Sequence, residues 1–308
     1  MVSGRTILLT IAAILVVAIA VGGYTIHTYL AQQPERAPMP LPSTHTPEPV
    51  EPEPAYYTSR VIGTSVEGRP IEAHRFGNGD EHLLFVGGIH GGYEWNSVIL
   101  AYEFIDYFRE AAGRVPEELS VSIVPNLNPD GTFAVIGKDG RFSLADVPED
   151  EGPLGTGRMN ANGVDLNRNF ACKWQPESTW RGNVVSAGTE AFSEPEAAAL
   201  RNLVFEIEPS AVAFWHSQSN AVYASECEAG VLPGTVALME TYADAAGYPS
   251  VLTFDAYPIT GDAEGWLASI GIPAITVELS THETVEWEKN RAGVEAVLAA
   301  YSAQPLAR

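Results

Sequence analysis

His82-Leu83-Leu84-Phe85-Val86-Gly87-Gly88-Ile89-His90-Gly91-Gly92-Tyr93-Glu94-Trp95 begins as a short apolar run, breaks at two glycines and then enters a helical pattern. The run has strand length, and from Ser97 to Arg109 apolar residues recur at helical spacing. The segment therefore predicts strand, glycine loop, helix. The same order recurs along the chain. Val121-Ser122-Ile123-Val124-Pro125 leads into Asn128-Pro129-Asp130-Gly131, Ala211 to Trp215 into His216, and Ala274 to Val277 into Glu278. Helical stretches are expected over Glu194 to Glu206, Gly234 to Ala246 and Val285 to Tyr301. Strands alternating with helices predict an α/β domain with a largely parallel sheet. In open sheets of this kind ligands bind beyond the carboxyl ends of the strands. His90, His216 and Glu278 all fall at or just past such ends.

The chain of 308 residues is 45% apolar, enough for a buried core. Its formal charge of -22 argues against nucleic acid as a partner, because phosphate binding requires a basic face. From Ile7 to Val21, and on through Gly22, Gly23 and Tyr24, there is no charge, and only Arg5 precedes the run. We expect residues 1–6 to be a cytoplasmic stub, residues 7–30 a membrane anchor or a cleaved signal peptide, and the remainder to be extracytoplasmic. Residues 31–55, rich in Pro and Glu, are expected to be an extended linker, and residues 56–308 the folded, monomeric domain. Cys172 and Cys227 are the only cysteines. In an exported chain lacking a Cys-x-x-Cys pattern, a structural bridge between them is favoured over metal ligation.

A catalytic zinc site uses imidazoles and carboxylates and keeps one position open. His90 and Glu94 can supply two ligands from one loop and the helix turn after it, and His216 the third. His27, His45, His74, His82 and His282 are read as ordinary core or surface histidines. His282-Glu283 lacks the second His that a metalloprotease helix needs, Glu286 standing there instead.

From about Tyr57 onward these segments resemble the M14 zinc carboxypeptidases. The resemblance runs in order through Gly63-Thr64-Ser65-Val66-Glu67-Gly68-Arg69-Pro70-Ile71, Asn128-Pro129-Asp130-Gly131, Gly163-Val164-Asp165-Leu166-Asn167-Arg168-Asn169-Phe170, Ser193-Glu194-Pro195-Glu196, His216-Ser217 and Thr276-Val277-Glu278-Leu279. It implies a three-layer fold with a mixed, largely parallel central sheet and helices on both faces. It implies one zinc ion on His90, Glu94 and His216, with Asp165 fixing the tautomer of His90. Glu278 would be the general base, and Arg158 would stabilise the oxyanion. Asn167 and Arg168 would grip the terminal carboxylate of a peptide, and Tyr257 would close over it. Counted from Tyr257, Glu264 falls at the specificity-pocket position, which would favour basic C-terminal residues.

The implied activity is removal of a C-terminal residue from a peptide with a free carboxylate, without prior processing. The rival readings are a murein peptide amidase acting on diaminopimelate-containing peptides, a zinc-dependent deacylase of small molecules, and an inactive peptide-binding module. One departure stands out. Three residues separate His90 from Glu94 where the family usually has two, which predicts a bulged glycine loop.

Overall fold

A computed structural model describes residues 4–31, 55–149 and 154–303. The chain divides into two units, residues 1–52 and 53–308. In the first, Gly4–Ala31 forms α1, a helix of 28 residues. Among the described residues no helix is long and apolar enough to cross a membrane, so the span expected over residues 7–30 is not supported. The linker expected over residues 31–55 falls, for residues 32–54, outside the described residues.

The second unit is built on an eight-stranded sheet. Its strands are β1 (Tyr57–Thr64), β2 (Pro70–Phe76), β3 (Glu81–Val86), β4 (Leu119–Val124), β7 (Ala211–Ser217), β8 (Ala221–Ala224), β11 (Ser250–Val251) and β12 (Ala274–Leu279). Two short hairpins lie apart from it, β5 (Glu177–Trp180) with β6 (Asn183–Ser186), and β9 (Glu226–Cys227) with β10 (Gly230–Val231). The order across the sheet is β1-β2-β4-β3-β7-β12-β8-β11. The centre, β4-β3-β7-β12, is parallel throughout, and β8 with β11 is parallel as well. The antiparallel pairs are β1 with β2, β2 with β4, and β8 with β12. The expected mixed, largely parallel sheet is what the chain forms.

Among the described residues six α-helices belong to this unit: α2 (Trp95–Glu110), α3 (Pro129–Ile136), α4 (Pro195–Ile207), α5 (Pro233–Ala246), α6 (Ala263–Ser269) and α7 (Trp287–Ala303). They cover both faces, so the central strands are apolar on both sides and read as continuous hydrophobic runs. In β3, Leu83 and Phe85 enter the core under α2, α5 and α7, and Leu84 and Val86 enter the core under α4 and α6. The two-residue period repeats in β7, where Ala211, Ala213 and Trp215 face the first core and Val212 and Phe214 the second. It therefore turns His216 toward the α4 and α6 side. In β12 the same alternation takes Ile275, Val277 and Leu279 to the first core and leaves Thr276 and Glu278 on the side of His216. A polar chain runs through the first core: Trp215 Nε1 donates to Tyr242 Oη at 3.1 Å, and Tyr242 Oη to Asn290 Oδ1 at 2.8 Å.

Candidate metal centre and substrate cavity

The loop after β3 is tied to the loop after β4. Gly87 N donates to Val124 O at 2.9 Å, and Asn128 N donates back to Gly88 O at 2.9 Å. Gly91 sits at φ +47°, where a Cβ would stand 2.7 Å from Gly157 O, so both conformation and space demand glycine there. Gly91–Glu94 form a single 3-10 turn that runs into α2. This turn holds the three residues between His90 and Glu94. Its tighter winding brings Glu94 back beneath the imidazole that precedes it.

Three ligand side chains converge as a result. His90 Nδ1 lies 2.8 Å from Glu94 Oε1, His216 Nδ1 lies 2.9 Å from Glu94 Oε2, and the two Nδ1 atoms are 3.2 Å apart. All three side chains are buried, and they form the one cluster of metal-ligating groups among the described residues. The donor set suits zinc. Ligands about 2.0–2.1 Å from a tetrahedral ion stand about 3.3 Å from one another, close to the separations here. The electrostatics favour a cation as well. Burial opposes ionisation of Glu94, but His90 and His216 hold its carboxyl well below the usual range. Burial likewise disfavours the His216 imidazolium, yet Glu94 and Glu264 outweigh it and raise its pKa well above the ordinary value.

Each imidazole has a carboxylate on its far nitrogen. His90 Nε2 faces Asp165 Oδ1 at 3.4 Å, and His216 Nε2 faces Glu264 Oε1 at 3.2 Å. Asp165 caps the short turn Leu166–Arg168 by accepting from Asn167 N at 3.1 Å. Arg158 holds its other oxygen, with Nε at 3.0 Å and Nη2 at 2.8 Å from Oδ2. Burial works against the Asp165 anion, but Arg158 and Arg168 keep its pKa far below the normal carboxylate value. Arg158 Nη1 also stands 3.8 Å from Glu94 Oε1, and the guanidinium lies over the Trp180 ring at 4.4 Å.

The cluster opens into a cavity of about 670 Å³. Arg158, Asn167, Arg168, Tyr257, Glu264 and Glu278 all line it, so the expected residues share one space. Glu278 is opposite His216 in the register of β12 with β7, and its Oε2 accepts from Ser219 N at 3.2 Å. Burial first, and then the Glu94 carboxylate, push its pKa up to about 7. Arg168 is 2% exposed. Its Nη1 and Nη2 donate to the carbonyls of Asn167 at 2.6 Å and Thr179 at 3.1 Å, while Nε has no partner. Among the described residues no carboxylate lies within ion-pair distance of it.

Two placements differ from expectation. Glu264 is buried, and its carboxylate is taken up by His216 and by Thr276 Oγ1, which donates to Oε1 at 3.0 Å; a free specificity-pocket carboxylate is not what the fold makes of it. Asn167 Oδ1 accepts from Ala263 N at 2.8 Å, fixing the start of α6 and leaving the Asn167 amide nitrogen for other partners. Trp180 and Arg181, from the β5–β6 hairpin, and Lys173, from the segment before it, also line the cavity. Arg181 Nη1 donates to Tyr93 Oη at 3.4 Å. His282, read as ordinary, pairs with Ser217 Oγ at 2.7 Å and packs edge-on against Tyr93. Short polar strands carry no strong periodicity, so only the positive charge of Lys173 and Arg181 in an acidic chain could have drawn attention to the hairpin and the segment before it. Cys172 and Cys227, just beside it, are joined by a disulfide.

Comparison with known proteins agrees with this geometry. γ-D-Glutamyl-L-diamino acid endopeptidase 1 of Lysinibacillus sphaericus is 25% identical over 240 residues, covering 71% of this chain and 60% of that protein. Murein peptide amidase A of Escherichia coli strain K12 is 34% identical over 131 residues, covering 39% and 50%. The chain thus spans about half the length of the curated relatives it matches. Among solved structures, the murein-tripeptide amidase MpaA from Escherichia coli O157 aligns with a TM-score of 0.52 at 24% identity, covering 78% of this chain and 90% of that one. Bovine thrombin-activatable fibrinolysis inhibitor aligns with a TM-score of 0.61 at 20% identity, covering 80% and 88%. At such identities these structures speak for the fold alone. The sequence model described as zinc carboxypeptidase matches residues 50–291, most of the chain, and the protein belongs to that family, M14.

Proposed function

We propose that this M14 zinc hydrolase is a carboxypeptidase that removes the C-terminal residue of a peptide. The observation that carries the reading is Arg168, a buried guanidinium in the cavity with no carboxylate within ion-pair distance among the described residues. A buried charge without a counter-charge is strongly unfavourable, and the planar fork of arginine suits a carboxylate. The terminal carboxylate of a peptide would complete the pair, and Asn167 would bind it alongside. The scissile bond then lies one residue in from the grip, toward His90, Glu94 and His216.

A zinc ion held by these three would supply Lewis acidity toward the scissile carbonyl and toward water. Glu278 would accept a proton from the attacking water at its carboxylate and pass it to the nitrogen of the departing amine. Arg158, already charge-balanced by Asp165, would face the oxyanion that develops on the carbonyl. Tyr257, at the cavity wall beside Phe254, would cover the bound end of the peptide. The disulfide between Cys172 and Cys227 favours an oxidising, extracytoplasmic setting.

A matched pair of blocked dipeptides, one ending in a free carboxylate and the other in its amide, tests this reading. The acid should be hydrolysed and the amide left nearly untouched, and Glu278→Gln should abolish turnover. Equal cleavage of the two would remove the role of Arg168 and favour an amidase or deacylase. No cleavage of either, with zinc bound, would favour a binding module.

A further inference from the structure

His216 presents Nδ1 to the cluster and Nε2 to Glu264. The partner of the far nitrogen sets which nitrogen of an imidazole carries hydrogen. Nδ1 is the nitrogen that would face the metal, which leaves Nε2 to carry its hydrogen toward the Glu264 oxygen 3.2 Å away. Glu264 is in turn held firmly. Thr276 Oγ1 donates to the same Oε1, and the residue stands in the first turn of α6. The start of that helix is pinned by Asp262, which accepts from Gly265 N at 2.7 Å, and by Asn167. Thr276 lies on β12 two residues before Glu278. One carboxylate thereby joins α6, β12 and the imidazole on β7. Asp165 stands in the same relation to His90 from the opposite side.

We propose that Glu264 is the positioning residue of His216: it fixes the tautomer and ring orientation that aim Nδ1 at the metal centre, and it does not read the substrate side chain. The inference rests on the zinc reading of His90, Glu94 and His216. A carboxylate serving as the floor of a specificity pocket must be available to a substrate cation. Glu264 is 3% exposed, and its Oε1 already faces two partners. Any preference for basic C-terminal residues must therefore arise elsewhere in the cavity.

The test measures zinc affinity by chelator competition, starting from metal-free protein, in wild type, Glu264→Gln and Thr276→Val. The kcat/KM ratio between Lys- and Leu-terminated peptides is followed in parallel. Loss of a partner of this kind weakens metal binding about 10–100-fold, and Glu264→Gln should fall in that range. Thr276→Val should weaken zinc less, and the Lys/Leu ratio should stay at its wild-type value in both. Unchanged zinc affinity with an altered ratio in Glu264→Gln would overturn the proposal and make Glu264 a pocket residue. If Glu264→Gln fails to fold, unchanged zinc affinity in Thr276→Val overturns it alone. Wild type that binds no zinc would bring down the zinc reading itself. Wild type that binds one zinc with a Glu264→Gln variant of equal affinity would bring down only this inference.

Discussion

Arg168 and Glu278 divide the chemistry between binding and proton transfer, and their surroundings give each a distinct experimental signature. Arg168 already donates to two main-chain carbonyls, so its charge is positioned but not neutralised. Arg168→Ala should lower kcat/KM for a free-acid peptide about 10–100-fold, the effect of losing hydrogen bonds to a charged group. The residual rate should no longer distinguish acid from amide, which steady-state kinetics on both peptides would show. Glu278 must be ionised to accept a proton. Its metal-free pKa is raised to about 7, by burial first and then by Glu94, and a bound dication pulls it lower. Activity should therefore fall as pH drops, along an acid limb below about pH 7. A kcat/KM profile flat through that range would deny Glu278 its role.

At the scale of elements, the strands were legible in the sequence because both faces of β3, β4, β7 and β12 are covered and their apolar runs are nearly unbroken. Strand ends then located His90, His216 and Glu278. The turn at Gly91 was not legible. Three residues between His90 and Glu94 can wind in more than one way, and only packing against Gly157 and Thr132 selects the 3-10 form. Glu264 was out of reach for a related reason. Its distance in sequence from Tyr257 says nothing of which way α6 turns its first helical turn toward β7.

His82, at the start of β3, gives this scale its own prediction. It is buried against Ser122 on β4, with Nε2 and Oγ 2.8 Å apart. Burial, and secondarily Arg75, lower its pKa to about 4. The unfolded chain takes up this proton near pH 6.5 while the folded one stays neutral, so stability is intact above that pH and is lost as pH falls toward 4. The full loss is about 3 kcal/mol. Urea unfolding of wild type and His82→Gln at neutral and mildly acidic pH should show the advantage of wild type shrinking with acidity. Parallel losses in the two proteins would contradict it.

On the scale of the whole molecule, two features of the composition acquire a location. In a chain of formal charge -22 the cavity nonetheless gathers Arg158, Arg168, Lys173 and Arg181. The four come from separate loops and a hairpin, so the net charge gives no sign of their grouping, and Glu94, Glu226, Asp262, Glu264 and Glu278 line the same space. The two cysteines, 55 residues apart, join the segment after Phe170 to β9, so reduction or a Cys172→Ser/Cys227→Ser variant should lower stability by up to about 4 kcal/mol. A depressed Tm with zinc content unchanged is the expected outcome, since neither cysteine touches the metal cluster. The proposed chemistry depends on the convergence of His90, Glu94 and His216 through a turn of unusual spacing. Zinc content of the purified protein, compared between wild type and Glu94→Ala, tests that convergence most directly. One zinc per wild-type chain and a sharp loss in Glu94→Ala are predicted, whereas a variant that keeps the wild-type stoichiometry would show that the ligand set is wrong.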